Sequence, residues 1–310
     1  MDSLQDYRWL VSKEANSALA QTQKKLESEK NQMAKVLTDL RHSWGQDRSR
    51  LVVEQCQLRH RARKKFVNAD ILFFEKDALE MATDDRIARY KAERMGQVAR
   101  VADVCCCIGG DLMGLAAYGQ FDQVSGFDRD EKMVLLANAN CQALDQKPAA
   151  KLDHFEELDL HAFDAVHIDP ERRTSGRSTS GDQFSPKLAG IFERSKECQN
   201  LSIKIAPATR WQTPFSIPYE RQWIGHSREC KQQVVWTGQL AKNPGCRTAC
   251  RLDHDSHFEY SFPDEQLHSM RPSIATEIEQ FIYEPHNVLL AANLENALAH
   301  ERGLKKLAPN

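Results

Sequence analysis

The fold is decided by Val101-Ala-Asp-Val-Cys-Cys-Cys-Ile-Gly-Gly-Asp-Leu-Met-Gly-Leu-Ala116. Its first four residues are an apolar run typical of a buried parallel strand, Gly109-Gly110 predicts a tight turn, and Leu112, Leu115 and Ala116 recur at helical spacing. The predicted order is strand, turn, helix. We expect the amino end of this helix to present unpaired N–H groups beside a turn that a ligand can approach closely.

A second strand brings an acidic residue to the same place. Gly119 closes the helix, Gln123 to Phe127 predicts a strand, and Asp128 stands at its end, 25 residues beyond Asp103. A carboxylate there can accept hydrogen bonds from both hydroxyls of a ribose, and parallel strands open a crevice at their carboxyl ends. The stretch therefore predicts a nucleotide-cofactor site.

The turn itself narrows the choice of cofactor. A dinucleotide fold uses G-x-G-x-x-G, which lets a pyrophosphate lie against bare backbone. Here the turn contains Cys105 and Cys107 and ends in the acidic Asp111. A carboxylate disfavours a diphosphate but suits the ammonium and sulfonium groups of S-adenosylmethionine (SAM). The turn thus favours SAM over NAD.

Composition limits the compartment and the partners. The 310 residues include 42 Lys plus Arg against 44 Asp plus Glu, so a nucleic-acid surface would have to be local. No apolar stretch approaches the ~20 residues of a membrane span, and the amino terminus does not resemble a signal peptide. Nine cysteines, an odd number, argue against a secreted disulfide framework. We expect a cytoplasmic protein.

Three regions are predicted along the chain. Residues 1–66 are expected to form a helical domain, 67–265 the cofactor-binding core, and 266–310 a helical extension. In the first region Leu19, Leu26, Met33 and Leu40 fall seven apart, but polar residues interrupt the second half of the seam. A helix that packs in a bundle is therefore favoured over a coiled coil. Gly45 and Asp47 predict a break and a new helix start.

A cluster of basic residues ends that helix. Its members are Arg59, Arg61, Arg63, Lys64 and Lys65. One interpretation is a solvated helix face whose cations are favoured near the carboxyl terminus. The alternative is a patch that contacts RNA phosphates, because positive surface supplies most of the affinity of RNA-binding proteins.

More elements of a doubly wound sheet follow. Asp130 is placed to cap a helix, residues 149–158 predict a weak third strand, and Ala165 to Ile168 and Leu201 to Ile205 predict two clear ones. In the weak strand, Asp153 or His154 is placed to accept a hydrogen bond from the adenine amino group.

The fourth strand runs into Asp169-Pro170-Glu171-Arg172-Arg173. Ligands bind at the carboxyl ends of such strands. Methyl transfer is accelerated mainly by alignment of nucleophile, methyl carbon and sulfur. We therefore interpret Asp169 as the group that orients or deprotonates the nucleophile, and Arg172 and Arg173 as clamps on a substrate phosphate or carboxylate. The alternative is an Asp–Arg pair that only fixes the loop.

The last third of the chain changes character. Gln222 to Gly225 and Gln232 to Thr237 are strand-like, Arg247 to Leu252 and His257 to Phe262 predict a hairpin, and the pattern becomes helical from Ile274, with a break at Glu284-Pro285. The spacing of Cys246, Cys250, His254 and His257 is too loose for a convincing zinc site, since strand residues alternate between faces.

Four stretches of the sequence together resemble one family. Ala78-Leu-Glu-Met-Ala-Thr83, Asp103-Val-Cys-Cys-Cys-Ile-Gly-Gly-Asp111 and Asp169-Pro-Glu-Arg-Arg173, with Tyr283-Glu-Pro285, are similar to bacterial class I SAM-dependent methyltransferases that have a helical N-terminal region and a THUMP-like C-terminal domain. The resemblance implies an α/β fold, with a doubly wound Rossmann-like sheet and an all-helical N-terminal region.

The resemblance also implies roles for single residues. Asp103, Gly109, Gly110 and Asp111 would contact the methionine part of SAM, Asp128 the ribose, and Asp169 with Pro170 would occupy the catalytic Asp-Pro position. The predicted cofactor site is completed by Cys105, Cys107, Arg129 and Asp153, with Glu80 and Thr83 lining the pocket from the N-terminal side.

The chain departs from the family pattern at two points. Cys107 stands where the family usually has Gly, and a residue with a β-carbon at a positive φ costs on the order of 1 kcal/mol. The chain also ends at Asn310, so the THUMP-like module is expected to be absent or only begun. Pro170 is not followed by the aromatic residue of the amino-methylating Asp-Pro-Pro-Tyr type, so the methylated atom is not assigned.

The sequence thus predicts a SAM-dependent methyltransferase that acts on RNA. Two alternatives remain, a non-catalytic SAM- or RNA-binding relative and an NAD-dependent oxidoreductase.

Overall fold

The computed structural model describes residues 3–28, 33–147, 150–172, 184–209 and 216–308. The chain divides into two compact units, Met1–Leu158 and Asp159–Asn310. No helix in these described ranges is both long enough and apolar enough to cross a membrane.

The first unit combines helices with three parallel strands. Its elements are α1 (Leu4–Leu10), α2 (Lys13–Ser28), α3 (Met33–Ala62), α4 (Lys76–Met81), α5 (Asp85–Met95), β1 (Arg100–Val104), α6 (Gly110–Tyr118), β2 (Gln123–Asp128), α7 (Glu131–Ala143) and β3 (Ala150–Leu152). β2 lies between β1 and β3 and pairs with both in parallel. Each of these strands therefore ends at the same edge, where a ligand crevice forms.

The helices before β1 follow the predicted pattern. Leu19 packs in the same core cluster as Leu10 and Leu51, and Leu26 and Leu40 pack against that cluster. α3 is interrupted at Gly45, whose φ of 75° and ψ of 178° are not helical. The predicted break is confirmed, and glycine permits it because it has no β-carbon.

Close helix packing fixes α6 against α5. Gly114 faces Ala88, and a β-carbon added to Gly114 would lie 2.5 Å from the Ala88 β-carbon and 3.0 Å from the Ala88 carbonyl carbon. Such distances are below van der Waals contact, so the helices could not keep their present separation. α6 is the helix of the predicted cofactor turn, and its position therefore depends on this glycine.

We expect Gly114→Ala to lower the free energy of unfolding by about 1–3 kcal/mol, the usual cost of overpacking, despite the better helix propensity of alanine. Gly190→Ala is the matched control, because Gly190 is also helical but a β-carbon there would meet nothing within 4 Å. That control should be neutral or slightly stabilising. Urea unfolding measures the free energy of unfolding of both variants. Equal stabilities of Gly114→Ala and Gly190→Ala would contradict the packing account.

The second unit continues with a mixed set of strands. Its elements are β4 (Ala165–Ile168), β5 (Glu171–Arg172), β6 (Phe184–Ser185), α8 (Leu188–Arg194), β7 (Leu201–Ile205), β8 (Tyr219–His226), β9 (Glu229–Thr237), β10 (Cys246–Leu252), β11 (His257–Pro263), α9 (Asn287–Ala292) and α10 (Glu295–Glu301), with 3-10 turns at Leu160–Ala162, Gly238–Leu240 and Asp264–Ser269.

Within this unit the strand order is β4-β7-β9-β8-β10-β11. β4 and β7 are parallel, β9 is antiparallel to both β7 and β8, and β10 runs parallel to β8. Consequently β4, β7, β8 and β10 all point the same way. β5 begins directly after Pro170 and forms a separate antiparallel pair with β6.

Two predictions of secondary structure are wrong in part. The weak third strand, predicted over 149–158, is confined to β3, and the chain from 153 onward turns away. The helix predicted to begin at Ile274 does not form: residues 274–286 have no helix, and Ile274 instead makes a strand-like bridge to Lys306. The apolar residues there have helical spacing but are exposed, so burial against another element does not stabilise a helix in this segment.

Candidate functional site

Three residues with positive φ shape the turn after β1. Cys105 has φ 60°, Cys107 φ 51° and Gly109 φ 86°. A left-handed conformation costs a residue with a β-carbon about 1–2 kcal/mol, whereas glycine adopts it freely. The structure therefore confirms the backbone demand that the sequence indicated at Cys107, and it adds Cys105. Surrounding contacts must hold the turn in this conformation.

Asp128 supplies the main contact of this kind. Its Oδ2 accepts a hydrogen bond from the Cys107 N–H at 2.8 Å and its Oδ1 accepts one from the Asp130 N–H at 2.9 Å. The carboxylate is half-buried at the end of β2. Each oxygen retains a second lone pair, so the group can still accept hydrogen bonds from a ligand.

The environment of Asp128 changes its ionisation. Burial raises the pKa of Asp128, and this effect exceeds the opposing effects of the two backbone N–H groups; nearby Asp130 raises the pKa further and Arg129 lowers it. Arg129 itself is exposed. Asp128 is therefore easier to protonate than an ordinary aspartate.

Asp153 directly follows β3, the strand that pairs with β2 beside Asp128. Leu152 is the register partner of Asp128, and the Asp153 N–H donates to the Asp128 carbonyl at 3.0 Å. The Asp153 carboxylate accepts the N–H of the exposed His154 at 2.8 Å. The fold thus brings two of the predicted cofactor residues to adjoining strand ends.

Asp111 is held by Thr83, which the sequence placed beside the pocket, and by Lys91, which the sequence did not single out. Lys91 of α5 forms an ion pair with Asp111, and Thr83 donates its hydroxyl to Asp111 Oδ2 at 2.7 Å. The side chains of Lys91 and Asp111 are only 2% and 7% exposed. This buried cluster fixes the first turn of α6. Asp103 is entirely buried in β1.

Gly110 allows the segment before α5 to approach the turn. A β-carbon on Gly110 would lie 3.0 Å from the Thr83 carbonyl oxygen, so the two backbones nearly touch. Glu80 behaves differently from Thr83, because its side chain is 56% exposed and pairs with Arg61 at 3.0 Å. The structure therefore unites Thr83, Gly110 and Asp111 but directs the carboxylate of Glu80 to Arg61.

A buried amide was missed by the sequence analysis. Asn140 of α7 is fully buried and donates to the carbonyls of Phe73 at 3.0 Å and Ile108 at 2.9 Å, while its Oδ1 accepts the Phe73 N–H at 2.6 Å. Asn140 thus ties the cofactor turn to the chain before α4. Its signal in the sequence is a polar residue in line with Leu136 and Ala137 on the apolar face of α7.

The basic cluster at the end of α3 is largely occupied with contacts inside the chain. Arg59 is buried and donates to the Leu72 carbonyl, and Arg63 pairs with Asp70. Lys65 donates to the carbonyls of Leu79, Glu80 and Ala82 at 2.7–2.8 Å. Together with the Arg61–Glu80 pair, these contacts tie most of the cluster to the chain between Asp70 and Ala82, and Lys64 lies exposed beside them.

In the second unit, Asp169 follows β4 and contacts a lysine of the next strand. Lys204 Nζ lies 2.7 Å from Asp169 Oδ2, with side chains 14% and 27% exposed. Pro170 is buried. The Arg172 backbone pairs with Phe184, but the Arg172 side chain and the whole of Arg173 lie outside the described residues. Lys204 was missed because its contact with Asp169 depends on the pairing of β7 with β4.

Cysteine and metal chemistry find no support in the described parts of the chain. All nine cysteines are free thiols. Burial raises the pKa of Cys106 well above its ordinary value and that of Cys141 to about 11, so both remain protonated thiols at neutral pH. Among the described residues, no group of three or more His, Cys, Asp or Glu is placed to hold a metal ion.

Comparison with known proteins supports the fold. No family model matches the chain. A crystal structure of a candidate methyltransferase from Porphyromonas gingivalis W83 is similar, with a TM-score of 0.75 and 20% identity over 95% of this chain and 77% of that one. The predicted α/β fold with a Rossmann-like sheet is thereby confirmed.

Two other matches cover less of the chain. An uncharacterized RNA methyltransferase of Rhizobium meliloti (strain 1021) is 34% identical over 93 residues, 29% of this chain and 22% of that protein, so the match spans about a fifth of the relative's length. A 16S rRNA methyltransferase of T. thermophilus, in complex with AdoMet and guanosine, covers 53% of this chain and 43% of its own, with 14% identity and a TM-score of 0.38, too low to carry an argument.

Proposed function

We propose that this protein is a SAM-dependent methyltransferase that acts on RNA. The observation that carries the proposal is the pair of carboxylates, Asp128 and Asp153, at the ends of β2 and β3. Asp128 accepts a hydrogen bond from the backbone of the cofactor turn. Carboxylates at these positions suit the hydroxyls of a ribose and the amino group of an adenine. The donor set therefore fits SAM, whose bound sulfonium supplies an electrophilic methyl group.

The residues of the cofactor turn have separate roles in this proposal. Asp128 accepts hydrogen bonds from the ribose, assisted by Arg129, and Asp153 accepts one from the adenine amino group. Gly109 and Gly110 allow the ligand to approach the backbone beside Cys105 and Cys107. Asp103 and Asp111 provide negative charge toward the methionine ammonium, and the Lys91 and Thr83 contacts keep Asp111 in position.

The substrate side of the proposal rests on Asp169. This carboxylate follows the buried strand β4, and Lys204 limits its freedom. Asp169 orients the nucleophile for in-line attack, Pro170 stiffens the loop, and Arg172 and Arg173 contact a phosphate of the RNA. A nucleophile aligned in this way accounts for most of the acceleration of a methyl transfer.

The wider setting is proposed on the same basis. We assign residues 1–66 to a helical domain, 67–265 to the catalytic core, and 266–310 to an extension that leads toward a THUMP-like domain. The nine free thiols suit a reducing compartment, so we place the protein in the cytoplasm. The names of the R. meliloti and P. gingivalis proteins favour a methyltransferase over a binding module or an oxidoreductase.

The test is transfer of a tritiated methyl group from SAM to total RNA, total protein and a small-molecule extract. Label is expected in the RNA fraction, and excess S-adenosylhomocysteine should suppress it. Label confined to another fraction would overturn the RNA assignment. If SAM binds but no fraction is labelled, the non-catalytic alternative holds.

SAM affinity should depend on the ionisation of Asp128. Burial raises its pKa above that of an ordinary aspartate, and the ionised form is the better acceptor for ribose hydroxyls. Affinity should therefore be constant at neutral pH and fall up to about tenfold per unit below the raised pKa. Calorimetric titration between pH 8 and the limit of stability measures this, and an affinity that rises toward low pH would contradict it.

A further inference from the structure

An exposed aromatic pair lies on the segment that follows the 3-10 turn at Asp264–Ser269. The side chains of Phe281 and Tyr283 are 65% and 67% exposed, and their ring centroids lie 6.3 Å apart at an interplanar angle of 51°. Exposure of large aromatic rings to water is unfavourable, and adjacent exposed rings are typical of interaction sites.

The position of this pair in the fold suggests its use. Glu284, the next residue, pairs with Arg228 at 3.0 Å, and Arg228 lies in the turn between β8 and β9. That turn follows the carboxyl end of β8. Because β8 runs in the same direction as β4, the turn lies at the edge of the sheet where Asp169 follows β4.

The strand register gives the height of the β8–β9 hairpin above Asp169, measured along the strand direction. Ile168 pairs with Ile203, so Asp169 is level with Lys204, which pairs with Val234, and Val234 pairs with Gln222. His226 lies four residues farther along β8. At about 3.3 Å per residue the hairpin rises about 13 Å beyond the level of Asp169. Three strand spacings of about 4.8 Å also separate β8 from β4, so the hairpin stands at the same edge of the sheet as Asp169 and about 20 Å from it.

The charges around the pair are nearly balanced. Arg228 pairs with Glu284, Arg251 with Asp253 and Lys231 with Glu229. Burial lowers the pKa of His286, and Arg251 and Arg228 lower it further, so both guanidinium groups are near that imidazole. With each of these cations already matched by a carboxylate, attraction to phosphates is weak here. Stacking is the interaction that the site offers.

We infer that Phe281 and Tyr283 form a platform on which unpaired bases of single-stranded RNA stack. The inference rests on the proposed function and specifies how the substrate would be held at the sheet edge that contains Asp169. Base stacking on aromatic side chains tolerates any sequence, since every base has a π-face. The tilt between the rings means that each ring stacks its own base rather than enclosing one base between them.

The experiment measures binding of a fluorescent single-stranded oligoribonucleotide to the full chain by anisotropy, without SAM. Phe281→Ala and Tyr283→Ala should each weaken binding about 5- to 100-fold, whereas Tyr283→Phe should bind as the parent does. Ile278→Ala is the matched control, because Ile278 is equally exposed on the same segment but has no ring. A duplex of the same sequence should bind worse than the single strand.

Salt dependence separates stacking from phosphate binding. Because the nearby cations are paired, the part of the affinity lost in Tyr283→Ala should be nearly constant between 50 and 200 mM salt, where phosphate contacts weaken steeply. Equal binding by parent and alanine variants, or no binding by the parent, would overturn the platform. The platform would also be overturned if the alanine variants changed the sedimentation of the protein and left its RNA affinity unchanged, because this face would then be a protein contact. SAM titration and methyl transfer are measured separately, so the proposed function can stand while the platform fails.

Discussion

Lys91→Met is expected to lower the free energy of unfolding by about 3–5 kcal/mol, because it leaves the buried carboxylate of Asp111 without its partner. Both side chains are almost entirely shielded from water, so solvent cannot replace the lost interaction. The Thr83 hydroxyl offers only one hydrogen bond in compensation. Asp111 lies in the first turn of α6, so we also expect the variant to bind SAM less tightly even when it is folded.

Arg89→Met is the matched control on the same helix. Arg89 pairs with Glu93 on the exposed face of α5, where both side chains are about half exposed. Exposed pairs contribute about 0–1 kcal/mol, so the control should unfold close to the parent. Denaturant titration of both variants compares them directly. If Lys91→Met and Arg89→Met were equally stable, the buried pair would not be the anchor that the structure indicates.

A double variant tests the origin of the effect. Lys91→Met combined with Asp111→Leu removes both charges, and buried ion pairs replaced by apolar side chains are often neutral in stability. The double variant should therefore be more stable than Lys91→Met alone. Since the two side chains touch, their effects should not add, and the difference measures the coupling.

Asp169→Asn is expected to reduce methyl transfer about 10²- to 10⁴-fold while SAM affinity stays within about threefold of the parent. The amide keeps an oxygen near Lys204, so the loop after β4 should stay in place. What the variant loses is the charge that orients or deprotonates the nucleophile. Single-turnover methyl transfer and SAM titration, measured on the same preparation, separate these two effects.

Asp255→Asn is the control for this variant, because Asp255 lies in the exposed turn between β10 and β11. Its turnover should equal that of the parent. Undiminished turnover in Asp169→Asn would refute the role of this carboxylate, and a parallel loss of SAM binding would assign Asp169 to cofactor binding instead. These outcomes also distinguish an enzyme from a binding module.

The elements that the sequence predicted best are those with a strong local signal. β4 and β7 have the predicted bounds, because short runs rich in apolar residues identify buried parallel strands even where single polar residues such as Lys204 interrupt them. Asp130 caps α7 as predicted, since its carboxylate accepts the Lys132 N–H. The positive φ at Cys107 was likewise foreseeable from the turn.

The failures share a different cause, which is tertiary context. Ile274, Ile278, Phe281 and Ile282 recur at helical spacing, yet the segment is extended and these side chains are exposed. Periodicity reports which residues share a face but not whether another element covers that face. The basic cluster shows the same limit. Its composition left open a solvated face or a phosphate-contacting patch, and it did not reveal that Lys65 donates to carbonyl groups at the end of α4 or that Arg61 and Arg63 pair with carboxylates.

The supporting residues of the cofactor turn could be found only in part. Lys91 lies in line with Ile87, Ala88 and Met95 on the buried face of α5, and this polar interruption of an apolar stripe is a readable sign. Its partner is not readable, because Asp111 lies 20 residues away on another helix. Long-range pairing of this kind depends on the packing of α5 against α6.

The central claim is tested most directly by calorimetric titration of the full chain with SAM, S-adenosylhomocysteine and NAD. Asp128→Asn, which alters the carboxylate bonded to the turn, is compared with Asp122→Asn, an exposed residue just before β2 begins. We expect saturable binding of SAM and its demethylated product by the parent and Asp122→Asn, affinity lowered about tenfold or more in Asp128→Asn, and no binding of NAD. Binding of NAD in place of SAM, or equal SAM affinity in both variants, would contradict the account.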